Sequence, residues 1–385
     1  MAVILVACDS GGDEAFNDNA VLPTLIPTAT VFTRPTLPPT FTPTLSPTPT
    51  ATMAITPSPE GFNPFGALIY VYNGDSIVRM RGDGSNSELI VTFGVGAEIG
   101  ELTLSPDGTL LAFTAPGNGS AREVYVANLD GTYLQQVSCL GFSVINHPTW
   151  SDDNLSLAFT GAQAAGQGEN IYSVDIVGSG NCPVDNNQRM IVNLDSQSIG
   201  DIAWDPLGRQ LFYSDQAIYS YNFETGETEG PYTEVSGFGS EYNLGFRPND
   251  PGTLAFVRPA STLSNYEFTT TIVSTSTTGT NTYARLGLDY DWFEGGQFVL
   301  LSTDNRIIMI DYVESESDTL VSGLQIMGQA VFNGTIDSIS YIDADPANPE
   351  IHQVFTYDDN TRQTSQITTH PEGTVNDIIW IPEPD

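Results

Sequence analysis

From residue 66 onward one unit recurs along the chain. It consists of an apolar, usually aromatic anchor, a turn rich in Pro, Asp, Asn or Gly, and an apolar run that ends near an aromatic. The copies are LSPDGTLLAF (104–113), WSDDNLSLAF (150–159), WDPLGRQLFY (204–213), FRPNDPGTLAF (246–256), WFEGGQFVLL (292–301) and FNGTIDSISY (332–341). The anchors Leu104, Trp150, Trp204, Phe246, Trp292, Phe332 and Trp380 are spaced by 40 to 54 residues, 46 on average. A third run follows in each unit, as in EVYVANLDG (123–131) and NIYSVDIVG (170–178), and a shorter fourth run closes it, as in YLQQVSC (133–139) and RMIVNL (189–194). The runs alternate apolar with polar residues and stop at turn formers, which is the pattern of strands. A fixed period of this length constrains the whole architecture, because each unit must bury its faces against its neighbours.

Four short strands in every period, without useful helical periodicity, predict an all-β chain folded as a seven-bladed β-propeller over residues 61–385. The first unit supplies only ALIYVYN, SIVRMRG and ELIVTF (within 67–93), whereas TVNDIIWIP (374–382) is an anchor strand with no blade after it. Pairing the two ends completes the first blade with the C-terminal strand, and it removes the edges that a linear array would leave open. The SPDG turn after an anchor, followed by LAF and a Tyr-containing third strand, resembles the WD-like repeat of TolB-type propellers, with the best copy at Leu104–Phe113. That resemblance implies a propeller head, a fold that hosts enzymes, binders and scaffolds alike.

The N-terminus reads MAVILVACDSGG, and its Leu5-Val6-Ala7-Cys8 resembles a bacterial lipobox, with Cys8 as the lipidated residue and 1–8 as a truncated signal. Residues 21–59 hold 12 Thr and 10 Pro among 39 positions, so 9–60 is expected to be a disordered stalk that buries no core. At ~3.1 Å per residue the Thr/Pro-rich segment 21–59 reaches at most about 120 Å. Anchor, stalk and head together imply a protein of the bacterial cell envelope, extracytoplasmic and held to the membrane only by the N-terminal lipid. Of the three cysteines, Cys139 and Cys182 remain as a candidate disulfide, with two separate thiols as the alternative.

Asp and Glu number 47 against 11 Lys and Arg, a formal charge of −36. Nucleic acid is excluded as a partner by this balance, since neutralising phosphates takes clustered cations. Three residues before each anchor stand Glu101, His147, Asp201, Asn243, Asp289, Gln329 and Asp377, all polar, whereas two before it stand mostly apolar residues. Alternation along a strand turns the two sets to opposite sides, so the polar set is expected to ring the mouth of the central channel. Four carboxylates there repel each other unless raised pKa values, hydrogen bonds to amides or a cation relieve them. The ring therefore has two readings: caps for backbone donors, or a site for Ca²⁺ or a cationic ligand.

Enzymatic signatures are thin. GxSxG and HExxH are missing, the histidines His147, His352 and His370 are scattered, and GVGAEIG (94–100) lacks the spacing of a nucleotide loop. The sequence therefore predicts a module that binds a protein, glycan or small ligand at the channel face, with loops 160–169 and 259–267 as further contacts. The alternative is a hydrolase or lyase that uses the channel-mouth carboxylates. No catalytic residue, metal ligand or cofactor is assigned.

Overall fold

The computed structural model describes residues 66–176, 188–196, 199–235, 239–248, 250–259, 266–274, 277–279, 285–293, 296–311, 316–326 and 328–382. Cys8, the Thr/Pro stalk, Cys182 and residues 260–265 of the second contact loop lie outside them. Cys139 is disulfide-bonded, and its partner is also outside the described residues.

Among the described residues every regular element is a strand, and the strands form seven four-stranded antiparallel blades. The first blade runs Val375–Ile381, Ala67–Tyr72, Ser76–Arg81, Glu88–Thr92, so the C-terminal strand is its innermost member. Ala67 faces Ile381, Ile69 faces Ile379 and Tyr72 faces Val375 across this closing pair. The other innermost strands are Gly100–Leu104, Val144–Trp150, Ile202–Trp204, Tyr242–Arg247, Arg285–Trp292 and Ala330–Phe332. Each touches the innermost strand of the next blade, and the seventh returns to the first, which closes the ring.

The core is divided into seven hydrophobic wedges, one per blade interface. Strand Ala67–Tyr72 shows how. Ile69 and Val71 pack with Leu111 and Phe113 of the second blade, while Leu68 and Tyr70 pack with Val331 and Val354 of the seventh. Both faces of a middle strand are thus buried, and period-2 alternation decides which neighbour each side chain meets. The seven residues two before the anchors, Leu102, Pro148, Ile202, Leu244, Tyr290, Ala330 and Ile378, are all buried, and all but Pro148 belong to these wedges.

The repeated turn after each anchor has a chemical reason. In the second blade the Ser105 hydroxyl accepts the Leu110 amide at 2.9 Å and Asp107 accepts the Thr109 amide at 3.1 Å. In the fourth blade Asp205 takes both roles, accepting Arg209 and Gln210 amides at 2.6 and 2.7 Å. Short polar side chains that mimic a turn's own hydrogen bonds are favoured at such corners. The left-handed position of the corner is filled by Gly108 and Gly208, and in the third blade by Asn154, the side chain best suited to replace glycine there.

One boundary is less separate than the repeat suggests. The outer edge of the fifth blade is built by Thr277–Gly279 and then by the first residues of the sixth blade's inner strand, where Leu286 faces Glu267 and Arg285 faces Phe268. The two blades thereby share a continuous hydrogen-bonded sheet.

Candidate functional site

The structure brings all seven sequence-identified polar residues to one end of the central channel. Glu101, His147, Asp201, Asn243, Asp289, Gln329 and Asp377 together line a single cavity of about 630 Å³ at the mouth. Glu101 is exposed and the other six are half-buried.

Their placement depends on backbone irregularity. The register slips beside Glu101, His147, Asn243, Asp289 and Asp377, where the inner strand carries an extra residue against its neighbour. Such a bulge re-aims a side chain and sharpens the local twist. Glu101, His147, Asn243 and Asp377 adopt φ of 52°, 54°, 53° and 49°, a left-handed conformation that side chains other than glycine rarely take. Its recurrence at one repeat position marks this rim as a place where the fold stores backbone strain.

What the ring does within the fold is visible in its hydrogen bonds. Asp377 of the first blade accepts the Leu102 amide of the second at 2.6 Å. Glu101 of the second accepts the His147 amide of the third, and the His147 Nδ1 lies 3.2 Å from Glu101 and 3.3 Å from Asp201 of the fourth. Asp201 accepts the Leu244 amide of the fifth at 2.8 Å, and Asn243 donates from Nδ2 to Asp289 of the sixth. Asp291 accepts the Phe332 amide of the seventh at 2.8 Å, and Gln329 accepts the Ile378 amide of the first at 2.7 Å. Every blade interface is crossed by at least one of these contacts. The donors belong to the neighbouring blade's inner strand rather than to the blade's own incoming loop, which refines the capping pattern expected from the sequence.

The same environment perturbs titration. Burial pushes the Asp289 carboxyl up to about 7, assisted by the charges of Asp291 and Asp377 and opposed by hydrogen bonds from the Tyr290 amide and Asn243. Burial likewise pushes Asp377 up to about 6 and Asp291 up to about 7. Asp201 is raised by burial, partly offset by His147. Tyr290 is held well above the usual tyrosine range by burial and by Asp201, Asp289 and Asp291, with its hydroxyl 2.8 Å from the Asn243 carbonyl.

Asp291 was not singled out from the sequence. It stands one residue before its anchor, where the other units carry Thr, Ala, Gly, Val or Ile, and two residues after Asp289. Spacing by two on a strand places both on the channel side, so the signal was an acid at a position that is otherwise uncharged. Among the described residues no group of three or more His, Cys, Asp or Glu is arranged to hold a metal ion. His370 packs against the closing strand's neighbours instead of the channel, stacked on Tyr72 at 4.1 Å and 3.0 Å from the Tyr70 hydroxyl.

Comparison with known proteins agrees with this architecture. No protein-family model matches the chain, and no curated protein matches it in sequence. Among solved structures it is similar to the crystal structure of TolB from Acinetobacter baumannii, with 14% identity, a TM-score of 0.51 and coverage of 83% of this chain and 67% of that one. It is also similar to a chain of the mitotic checkpoint complex, with 14% identity, a TM-score of 0.50 and coverage of 71% and 83%. A chain of a nidogen/laminin complex matches with 11% identity, a TM-score of 0.46 and coverage of 81% and 97%. The fold is that of a propeller built from TolB/WD-like repeats.

Proposed function

We propose that this chain is a lipid-anchored extracytoplasmic binding module that presents the channel mouth to a protein partner carrying exposed cationic side chains. Cys8 is the anchor, the Thr/Pro stalk is the spacer, and the cell envelope is the place. The observation that carries the reading is the mouth itself: a cavity of about 630 Å³ rimmed by polar side chains, on a chain of net charge −36. Opposite charge steers such a partner to the surface and penalises acidic competitors. One structural neighbour is a component of a protein assembly, the mitotic checkpoint complex, which supports a scaffold role for the fold. A second reading, a hydrolase or lyase, is favoured by the Asp289 carboxyl at about 7, which suits proton transfer near neutral pH.

The sequence contains no lysine, all 11 basic residues being arginine. Zero-length carboxyl-to-amine coupling in intact membranes therefore joins this chain's carboxylates to amines of a partner. Crosslinks concentrated on Glu101 and Asp201, which line the mouth, support the reading. Crosslinks spread evenly to carboxylates remote from the mouth, such as Asp152 and Asp153, or binding of neutral glycans in their place, would refute it. Loss of incorporated fatty acid in Cys8→Ser tests the anchor separately.

A further inference from the structure

The channel has a second, larger cavity where the inner strands end. Its volume is about 1010 Å³, and it lies among the fifth, sixth, seventh, first and second blades. It shares only Asn243, Asp289 and Gln329 with the mouth, so the two cavities meet at the level of the ring. Its floor holds two carboxylates, Asp289 and Asp291. Its walls include Trp380 together with Phe293 and Phe332, whose rings are tilted against each other at 5.1 Å between centroids. Asn333 adds an amide whose Oδ1 is buried with no hydrogen-bond partner in the protein.

We propose that this far-end cavity is a binding site for a small organic cation with an apolar body, held between the Asp289/Asp291 pair and the aromatic walls. The volume is that of a small-molecule site. A carboxylate offers about four acceptor positions. Asp289 spends some on Asn243 and the Tyr290 amide, and Asp291 on the amides of Phe332 and Trp292, so each keeps acceptor capacity toward the cavity. Both are partly desolvated, and a cation beside them restores the favourable field that water supplies elsewhere. Trp and Phe faces attract cations through their quadrupoles while accommodating the apolar body. Arg81 and Asp83 sit together on the rim and offset each other, so the floor sets the sign of the site. The mouth differs, since its lining contains no Trp or Phe.

Choline and its neutral isostere 3,3-dimethylbutan-1-ol are the probes, titrated calorimetrically into the intact protein at physiological salt. The expected result is saturable binding of choline, weaker by roughly tenfold or more for the alcohol, corresponding to about 1.4 kcal/mol or more. The double variant Asp289→Asn/Asp291→Asn keeps its acceptors for the neighbouring strands and is expected to lose choline by a similar factor with an unchanged circular dichroism spectrum. Asp291→Asn alone gives an intermediate loss, and Glu101→Gln at the mouth none. Absence of saturable choline binding, equal affinity for the alcohol, or full retention in the folded double variant overturns the proposal. Loss in Glu101→Gln with retention in Asp291→Asn also overturns it, by moving the cation to the mouth. Partner capture at the mouth is read by a different experiment, so either proposal can fail alone.

Discussion

The two ends of the channel use carboxylates in opposite ways. At the mouth, Asp377, Glu101 and Asp201 each accept a strand amide of the next blade, so their charge is answered by dipoles of the fold. Toward the far end, Asp291 and the ring residue Asp289, which lines both cavities, also touch neighbouring strands, but they face a large cavity with aromatic walls and have carboxyls pushed to about 7. The ring position thus serves mainly as a blade-to-blade clasp at Asp377, Glu101 and Asp201, whereas at Asp289, together with Asp291 two residues further on, binding capacity is left unspent. Polar rings in repeat proteins are better judged by where their lone pairs go than by their composition.

The strongest test of this contrast removes what both ends share. The closing strand brings Asp377 to the mouth and Trp380 to the far cavity, and it pairs with Ala67–Tyr72 along its length. Deleting residues 374–385 exposes the edge of strand Ala67–Tyr72 and opens the two wedges that flank the first blade. The expected outcome is loss of the cooperative thermal transition, followed by rapid proteolysis within the first and seventh blades. A truncated protein that still melts cooperatively near the wild-type temperature would show that ring closure is dispensable.

A finer cut separates clasp from charge. Asp377→Ala strands the Leu102 amide, whose residue is 8% exposed, without its acceptor. An unsatisfied buried donor costs about 1–3 kcal/mol, so the melting temperature should fall by several degrees. Asp377→Asn keeps an oxygen for that amide and should remain close to wild type. Equal losses in both variants would mean that charge, not the hydrogen bond, matters at the mouth.

How much of this was legible follows from the same geometry. The aromatic posts fixed the blade number because each wedge needs a large side chain at one repeat position, and Leu68 versus Ile69 could be assigned to opposite neighbours by alternation. The mouth ring was legible as a set of polar residues, since all seven share the position three before an anchor. The bulges were not, because one extra residue in a strand leaves no compositional mark, yet they decide that Asp377 and Glu101 take left-handed backbone and reach the next blade. The shared edge of the fifth and sixth blades was hidden for a related reason: a Thr-rich stretch such as TTTIVSTSTTGT (269–280) has weak alternation, so its register was set by tertiary pairing.

Acidification gives a smaller effect with a definite sign. Asp289, Asp291 and Asp377 have folded-state pKa values of about 7, 7 and 6 against an ordinary 3.8. Between those limits the folded protein binds more protons than the unfolded chain, so stability is fullest below about pH 4 as far as these groups are concerned and is lost as pH rises toward 7. The melting temperature should therefore rise by about 2–4 °C from pH 7.5 to pH 5.5. A fall over that interval would mean that these carboxylates are more stable charged.

Neutralising the far-end pair sharpens the comparison most and changes stability least. If Asp289 and Asp291 are destabilising as anions at neutral pH, then Asp289→Asn/Asp291→Asn removes the penalty while leaving oxygens for Asn243 Nδ2 and the Phe332 amide. The variant should melt about 2–3 °C above wild type at pH 7.5 and should lose most of the pH dependence just described, retaining only the part owed to Asp377. A lower melting temperature would instead place these two carboxylates with the mouth residues, as charged clasps whose full negative charge the neighbouring strands require. The distinction between the two ends of the channel would then reduce to the aromatic walls alone.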